Sequence, residues 1–203
     1  MSVRRALLAA LLAVSVLPAA AQAQARAGAA PAAGGPMSMG VLVGFESGDG
    51  DTGVALRFDG ILDQKKLSPK ALLSGVLSLG FTRFSDEISD PFSGFSTSGS
   101  MNLFKIIPAA RFTFDVAPQF DLYLDAGVGM WFGLASVRIE DDLGQEILDE
   151  SDNSVGAAMR IGGGAQIQLS PTFSLGFDMA FNPYFGDYEE TDFTLMGQAV
   201  FRM

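Results

Sequence analysis

The sequence predicts an all-β fold, an eight-stranded antiparallel up-and-down barrel that crosses a membrane, and three observations carry that expectation. The first is a long alternation on either side of one proline turn. From Phe104 to Val116 the residues Phe104, Ile106, Pro108, Ala110, Phe112, Phe114 and Val116 are apolar or small, with Lys105, Arg111, Thr113 and Asp115 between them. After Ala117-Pro118-Gln119 the even positions Phe120, Leu122, Leu124, Ala126, Val128, Met130 and Phe132 continue the apolar set. A period of two is that of a strand, and no helix reproduces it. The second observation is length: these runs exceed the usual five or six residues of a soluble strand and reach the roughly nine to eleven that a tilted membrane strand needs. The third is that the connections alternate between long and short.

The chain opens with Arg4 and Arg5 ahead of an apolar run from Ala6 to Leu17, followed by small residues at Ala23 and Ala25. That is the layout of a secretory signal peptide, expected over residues 1–25 and cut after Ala25, with Ala21 as an alternative site. Residues 26–36 are almost all small and lack periodicity, so they are expected to form a flexible periplasmic lead. The barrel is expected over 37–203. No later stretch offers 18 continuous apolar residues, so the membrane is to be crossed by strands and not by a helix. The chain has no Cys and no His, which removes a disulfide framework and the side chain most used as a general base near neutral pH.

Taken in order, the expected strands are Met37 to Phe45, Gly53 to Leu62, Leu72 to Phe84, Phe104 to Val116, Phe120 to Leu134, Val155 to Leu169, Phe173 to Phe181 and Phe193 to the end. Each alternates. In the seventh, Phe173, Leu175, Phe177, Met179 and Phe181 face Ser174, Gly176, Asp178 and Ala180. The long connections are Glu46 to Thr52, Ser85 to Ser100, Ala135 to Ser154 and Asn182 to Asp192. The Pro118 and Pro171 turns and the basic stretch Asp63 to Lys70 lie at the other end. Strands 4 and 5 share even parity and strands 6 and 7 share odd parity, so each joining turn must hold an odd number of residues unless a bulge intervenes. Ala117-Pro118-Gln119 and Ser170-Pro171-Thr172 satisfy this. Centring the first on Pro118 pairs Val116 with Phe120, Phe114 with Leu122 and Arg111 with Asp125, and sets Asp115 opposite Asp121.

Alternation alone does not distinguish a membrane barrel from a soluble periplasmic one of lipocalin type. The second face decides, because it is built of Gly, Ser, Ala, Gln and a few charges, and the only lysines are Lys65, Lys66, Lys70 and Lys105. Small residues with scattered charges suit the crowded interior of an eight-stranded barrel. Strand charges are nearly matched: Arg57, Lys105, Arg111, Arg160 and Arg202 against Asp59, Asp115, Asp121, Asp125 and Asp178. Buried charge requires pairing, so this set is the expected lumen charge network. Phenylalanines form two expected membrane-interface belts. Phe45, Phe81, Phe104, Phe132, Phe181 and Phe193 stand at one end, and Phe58, Phe114, Phe120, Phe173 and Phe201 at the other. At roughly 3.3 Å per residue and a tilt of about 40°, Phe104 and Phe114 stand about 25 Å apart along the membrane normal, the height of a lipid-facing band.

With the run Pro108, Arg111, Phe114, the segment Gly127-Val128-Gly129 and the alternating C-terminal strand, the chain resembles the small eight-stranded bacterial outer-membrane β-barrel family, including OmpX-like and OmpW-like proteins. It departs from that family in ending on Met203, with its aromatic at Phe201. The resemblance implies residence in the bacterial outer membrane. It also implies contact with outer-membrane lipid and lipopolysaccharide, and insertion by the barrel-assembly machinery. Enzymes of this group use a catalytic His; this chain has none and is expected not to be an enzyme. A carboxylate-only site at Asp125 near Tyr123 competes with paired lumen charge, and the pairing is favoured.

Most of the 23 carboxylates fall in the long connections, among them Glu140, Asp141, Asp142, Glu146, Asp149, Glu150 and Asp152. A solvated acidic surface is favoured there over divalent-cation contacts through Glu140, Asp141, Asp142, Asp149, Glu150 and Asp152. Asp49-Gly50-Asp51-Thr52-Gly53 resembles a calcium loop only faintly, lacking a terminal bidentate Glu. Trp131 has lumen parity and is expected to fill the barrel top, and Gly162-Gly163-Gly164 to relieve crowding by bulky lumen neighbours. The expected function is structural or surface-interacting, for a monomer that uses no cofactor and binds no nucleic acid. A narrow channel for small or apolar solutes is the alternative that the OmpW-like resemblance implies.

Overall fold

A computed structural model of the chain describes residues 37–48, 51–90, 95–141, 146–187 and 189–203. The expected leader and lead, 1–25 and 26–36, lie outside them. The strands run in chain order as β1 (Met37–Gly48), β2 (Asp51–Ser68), β3 (Ala71–Asp90), β4 (Phe95–Ala117), β5 (Phe120–Asp141), β6 (Glu146–Ser170), β7 (Phe173–Gly186) and β8 (Thr191–Arg202). Each pairs antiparallel with its neighbours, and β8 returns to β1 through pairs from Ser38 with Arg202 to Ser47 with Phe193, closing the barrel.

Alternation places the apolar set outside. Ile106, Phe112 and Val116 of β4 and Leu124, Val128 and Met130 of β5 are exposed, whereas Leu103, Ile107, Arg111, Tyr123 and Asp125 between them are buried. A soluble barrel would bury the first set and wet the second, so the lipocalin-type alternative fails on this inversion. Belt residues Phe45, Phe104, Phe114, Phe132, Phe181, Phe193 and Phe201 are exposed, and rings meet across strands at Phe81 with Phe104 (5.0 Å), Phe173 with Phe201 (5.1 Å) and Phe181 with Phe193 (5.5 Å). Phe58 does not stand at a strand end as expected. It pairs with Val41 and Leu79 in the body of the sheet, because β2 continues beyond it to Ser68.

The short turns share one construction that corrects the expected three-residue turns. Pro69-Lys70, Pro118-Gln119 and Pro171-Thr172 are two-residue turns closed by the pairs Ser68 with Ala71, Ala117 with Phe120 and Ser170 with Phe173. In each, the register slips by one residue just before the turn, at Leu67, Val116 and Leu169. A two-residue turn plus one bulged residue gives the odd count that parity demands, so Val116 is left unpaired and Phe120 takes Ala117. Gln119 has φ 72°, and Pro before a positive-φ residue is a type II arrangement. The residue after each Pro accepts a hydrogen bond from a further strand: Lys70 O from Asp115 N, Gln119 O from Gln168 N and Thr172 O from Arg202 N. These bonds stitch the turns into a rim.

Opposite the rim the strands run on well past their expected ends. Pairing of β2 with β3 stops at Val54 with Arg83, and that of β6 with β7 at Gly156 with Gly186. Between those limits β3, β4, β5 and β6 stay paired to Asp90 with Phe95, Phe95 with Asp141 and Glu140 with Glu146. The expected loops Ser85 to Ser100 and Ala135 to Ser154 are therefore, over the described residues, a four-stranded ribbon rising above the closed barrel. Glu140 and Asp141 end β5, and Asp149, Glu150 and Asp152 belong to β6; Asp142 lies outside the described residues.

Close packing inside the barrel is set by glycine. A Cβ on Gly164 would fall 2.1 Å from the Phe177 carbonyl oxygen and 2.6 Å from the Tyr123 hydroxyl, while one on Gly99 in the ribbon would meet nothing within 4 Å. Gly164→Val is expected to abolish refolding into detergent micelles, read by far-ultraviolet circular dichroism, and Gly99→Val to refold as the parent does.

Candidate functional site

The lumen is closed by a ring of alternating charges contributed by five strands. Arg57 and Asp59 share the inward face of β2, and the guanidinium folds back to donate from Nε to Asp59 Oδ1 (2.9 Å) and from Nη2 to Oδ2 (3.2 Å). Asp59 Oδ2 also accepts from Arg111 Nη2 of β4 (2.9 Å), and that nitrogen donates to Asp125 Oδ2 of β5 (2.8 Å). Asp125 Oδ1 lies 3.3 Å from Arg160 Nε of β6. Arg160 Nη2 donates to Asp178 Oδ1 of β7 (2.6 Å), and Arg57 Nη1 returns to the same oxygen at 3.0 Å. Three arginines and three aspartates thus form a closed, neutral cycle, every member of it buried. Buried charges need both a partner and hydrogen bonds to their remaining lone pairs. Ser78 of β3 donates to Asp59 Oδ1 at 2.8 Å, and Tyr123 donates to Asp178 Oδ2 at 2.8 Å while meeting the Gln198 amide of β8. The Arg111 guanidinium also stacks 4.2 Å from the Tyr123 ring.

A second polar cluster sits nearer the ribbon. Glu46 is fully buried and accepts from Lys105, Thr82 and Tyr184, while Lys105 Nζ donates to the Tyr184 hydroxyl at 3.0 Å. Packed with it is an apolar cap of Phe84, Leu103, Ile107, Trp131, Ala158 and Tyr184. Trp131 is 1% exposed, donates from Nε1 to Phe185 O at 3.2 Å and meets Tyr184 edge-on at 6.3 Å. It fills the barrel top as expected. A cavity between ring and upper cluster measures about 20 Å³, room for about one water.

The expected network is therefore redistributed. Arg111 does face Asp125, and Arg57, Asp59, Arg160 and Asp178 join them. Lys105 pairs with Glu46, a residue that the expected strand ends place in a connection although it continues the inward parity of Gly40 and Gly44 along β1. Asp192, expected in a connection too, is buried. Asp115 does stand opposite Asp121, and they stay at the rim and outside the ring; there Arg202 Nη2 lies 3.7 Å from Asp121 Oδ2 and Gln166 donates to the same oxygen at 3.1 Å. Tyr123 bonds Asp178 and not Asp125, so the pair of Asp125 with Tyr123 that a carboxylate-only site would use does not form. Gly162 and Gly164 make room for inward neighbours, as a Cβ on Gly162 would fall 3.0 Å from Asp125 Oδ1. Of the faint calcium-loop stretch, Asp51, Thr52 and Gly53 are strand residues paired with Gly48, Ser47 and Glu46, and Asp49 and Gly50 lie outside the described residues. Among the described residues no three metal-ligating side chains come together.

Residues 6–201 match the family model described as "Outer membrane protein beta-barrel domain". The chain belongs to that family. It is accordingly a protein of the bacterial outer membrane. Among solved structures it is similar to a major outer membrane protein of Thermus thermophilus, with 16% identity over 82% of this chain and 99% of that one and a TM-score of 0.54. It is also similar to Neisserial surface protein A (13%, 82% and 96%, TM-score 0.49) and to the outer membrane enzyme PagL (13%, 82% and 99%, TM-score 0.49). Identities this low speak to the fold alone. No curated protein matches the sequence.

Arg111 joins two carboxylates, so its removal leaves the ring with an uncompensated charge. Arg111→Ala is expected to destabilise this outer-membrane barrel by about 3 to 5 kcal/mol in denaturant titrations, and adding Asp125→Ala to recover much of the loss by restoring neutrality. Additive effects of the two changes would show that the residues are not coupled.

Proposed function

We propose that this outer-membrane barrel is closed and non-catalytic, and that it works as a scaffold presenting the β3–β6 ribbon to the cell exterior. The observation that carries this reading is that the lumen is occupied by the Arg-Asp ring and, nearer the ribbon, by the Glu46–Lys105 cluster and the Trp131 cap packed together, while four strands continue past the cap. A conduit would need a continuous polar path, and the cavity between ring and cluster has room for only about one water. The lack of any His and the commitment of Asp59, Asp125 and Asp178 to arginines support a non-catalytic role. Lipid and lipopolysaccharide contact through the phenylalanine belts, insertion by the barrel-assembly machinery and a monomeric state belong to the same proposal.

The test is conductance. Purified chain reconstituted in planar bilayers is expected to give no steady single-channel steps, and Arg57→Ala with Asp59→Ala, which opens the ring while keeping it neutral, to raise the frequency of transient events. Steady steps from the parent chain would favour the narrow conduit.

A further inference from the structure

Above the outer phenylalanine belt the strands keep their alternation but reverse its polarity. Within the membrane the outward residues are apolar and the inward ones polar. Beyond the row Phe81–Phe104–Phe132, outward positions become Arg83–Asn102–Leu134–Asn153 and then Ser85–Ser100–Ser136–Ser151, the four serines being in register across β3 to β6. On the other face, which continues the lumen lining, the rows are Phe84–Met101–Ala135–Asp152 and Asp86–Gly99–Val137–Glu150. Pairing carries on with Thr97 opposite Ile139. Val137 is 42% exposed, and Met101, Thr97 and Ile139 are partly exposed. A sheet in water that is serine-rich on one side and apolar on the other has the second side ready to be covered.

This face has a floor and two walls. The floor is β4 and β5, with Gly99 at its centre, above which an added Cβ would find open space. The walls are acidic: Asp86 on β3, and Glu150 and Asp152 on β6, are all exposed. Three inter-strand spacings put the two walls about 14 Å apart, and an α-helix with its side chains is about 10–12 Å wide. The floor offers no way into the barrel, since Phe84, Leu103 and Trp131 seal it below.

We propose that the mouth-facing side of the β3–β6 ribbon is a docking surface for a cationic amphipathic α-helix of a partner protein, its apolar stripe on Met101, Gly99, Val137 and Ile139 and its flanking Lys or Arg residues against Asp86, Glu150 and Asp152. The inference rests on the surface-interaction reading above and names the class of partner. The apolar floor and charge complementarity select this occupant, and the four strands are wide enough to seat it. Carboxylates on both flanks, Asp86 on one and Glu150 and Asp152 on the other, disfavour a second copy of this acidic chain, whose formal net charge is −10.

The experiment uses the full mature chain in zwitterionic nanodiscs and a fluorescent helical peptide of Leu and Lys, apolar on one stripe with Lys on both flanks, read by anisotropy against empty discs. Saturable binding above the empty-disc signal is expected, weakening as salt rises. Gly99→Trp, which fills the trough, and the pair Asp86→Lys with Glu150→Lys are each expected to weaken binding about tenfold or more. Ser136→Trp, at similar height on the opposite face, should leave it unchanged. Equal binding to all variants, equal binding of a peptide with Glu in place of Lys, or binding no greater than to empty discs would overturn the proposal. Variant folding is checked by circular dichroism, and charge reversal without added bulk provides a second route should Gly99→Trp misfold. Conductance of the same preparations separates the two readings: silent bilayers with no peptide binding remove the docking surface alone, whereas steady steps remove the closed barrel.

Discussion

Three arginines and three aspartates buried inside a tube surrounded by lipid impose the constraint on which the rest of this structure depends. In a medium of low dielectric each charge alone would cost several kcal/mol, and a ring in which every guanidinium meets two carboxylates is a solution that leaves no net charge behind. The ring also dictates its surroundings. Long arginine side chains from β2, β4 and β6 fill the bore, so their neighbours must be small, and Gly162 and Gly164 on β6 leave space for Asp125 and Tyr123. Because the members come from five strands, a slip of one register in the sheet would turn its contribution to the lipid. The charges thus act as a registration device as well as a plug, and the hydrogen-bonded turns at the rim hold the same register from below.

One alternation serves two environments. Between the phenylalanine belts the solvent outside is hydrocarbon, so apolar residues face out and hydrogen-bonding groups face in. Past the belt the outside is water, and Ser85, Ser100, Ser136 and Ser151 take the outward positions while Met101, Val137 and Ile139 take the inward ones. The level of Phe84, Leu103 and Trp131, where the inward side becomes apolar, is both the cap of the lumen and the foot of the ribbon. A single packed layer therefore closes the barrel and supports the surface above it.

Much of this is legible in the sequence because a period of two leaves little freedom. The strand order, the outward face, the pairing of Arg111 with Asp125 and the opposition of Asp115 and Asp121 all follow from parity and one turn. Parity alone does not distinguish a three-residue turn from a two-residue turn with a bulge, since both add an odd count, and Val116 is therefore expected in a pair that it does not make. Strand ends read too short for a physical reason: the polarity reversal above the belt erases the apolar-outside signal, so paired strand there reads as polar connection. Glu46 and Asp192 are lost with it, although inward parity along β1 points to the first. The ring itself is not a sequence property, because Arg57 meets Asp178 only once the barrel has closed and brought β2 against β7 across the bore.

The central claim is that the ring arginines are buried and held in paired charge contacts away from bulk water, and guanidinium hydrogen exchange measures this most directly. In nitrogen-15 arginine-labelled barrel in nanodiscs, the account predicts resolved guanidinium N–H signals from Arg57, Arg111 and Arg160 that exchange with water far more slowly than those of Arg83, which is exposed outside the barrel. Exchange of the three at the rate of Arg83 would contradict it, placing freely exchanging bulk water where the structure places a closed cycle of charge.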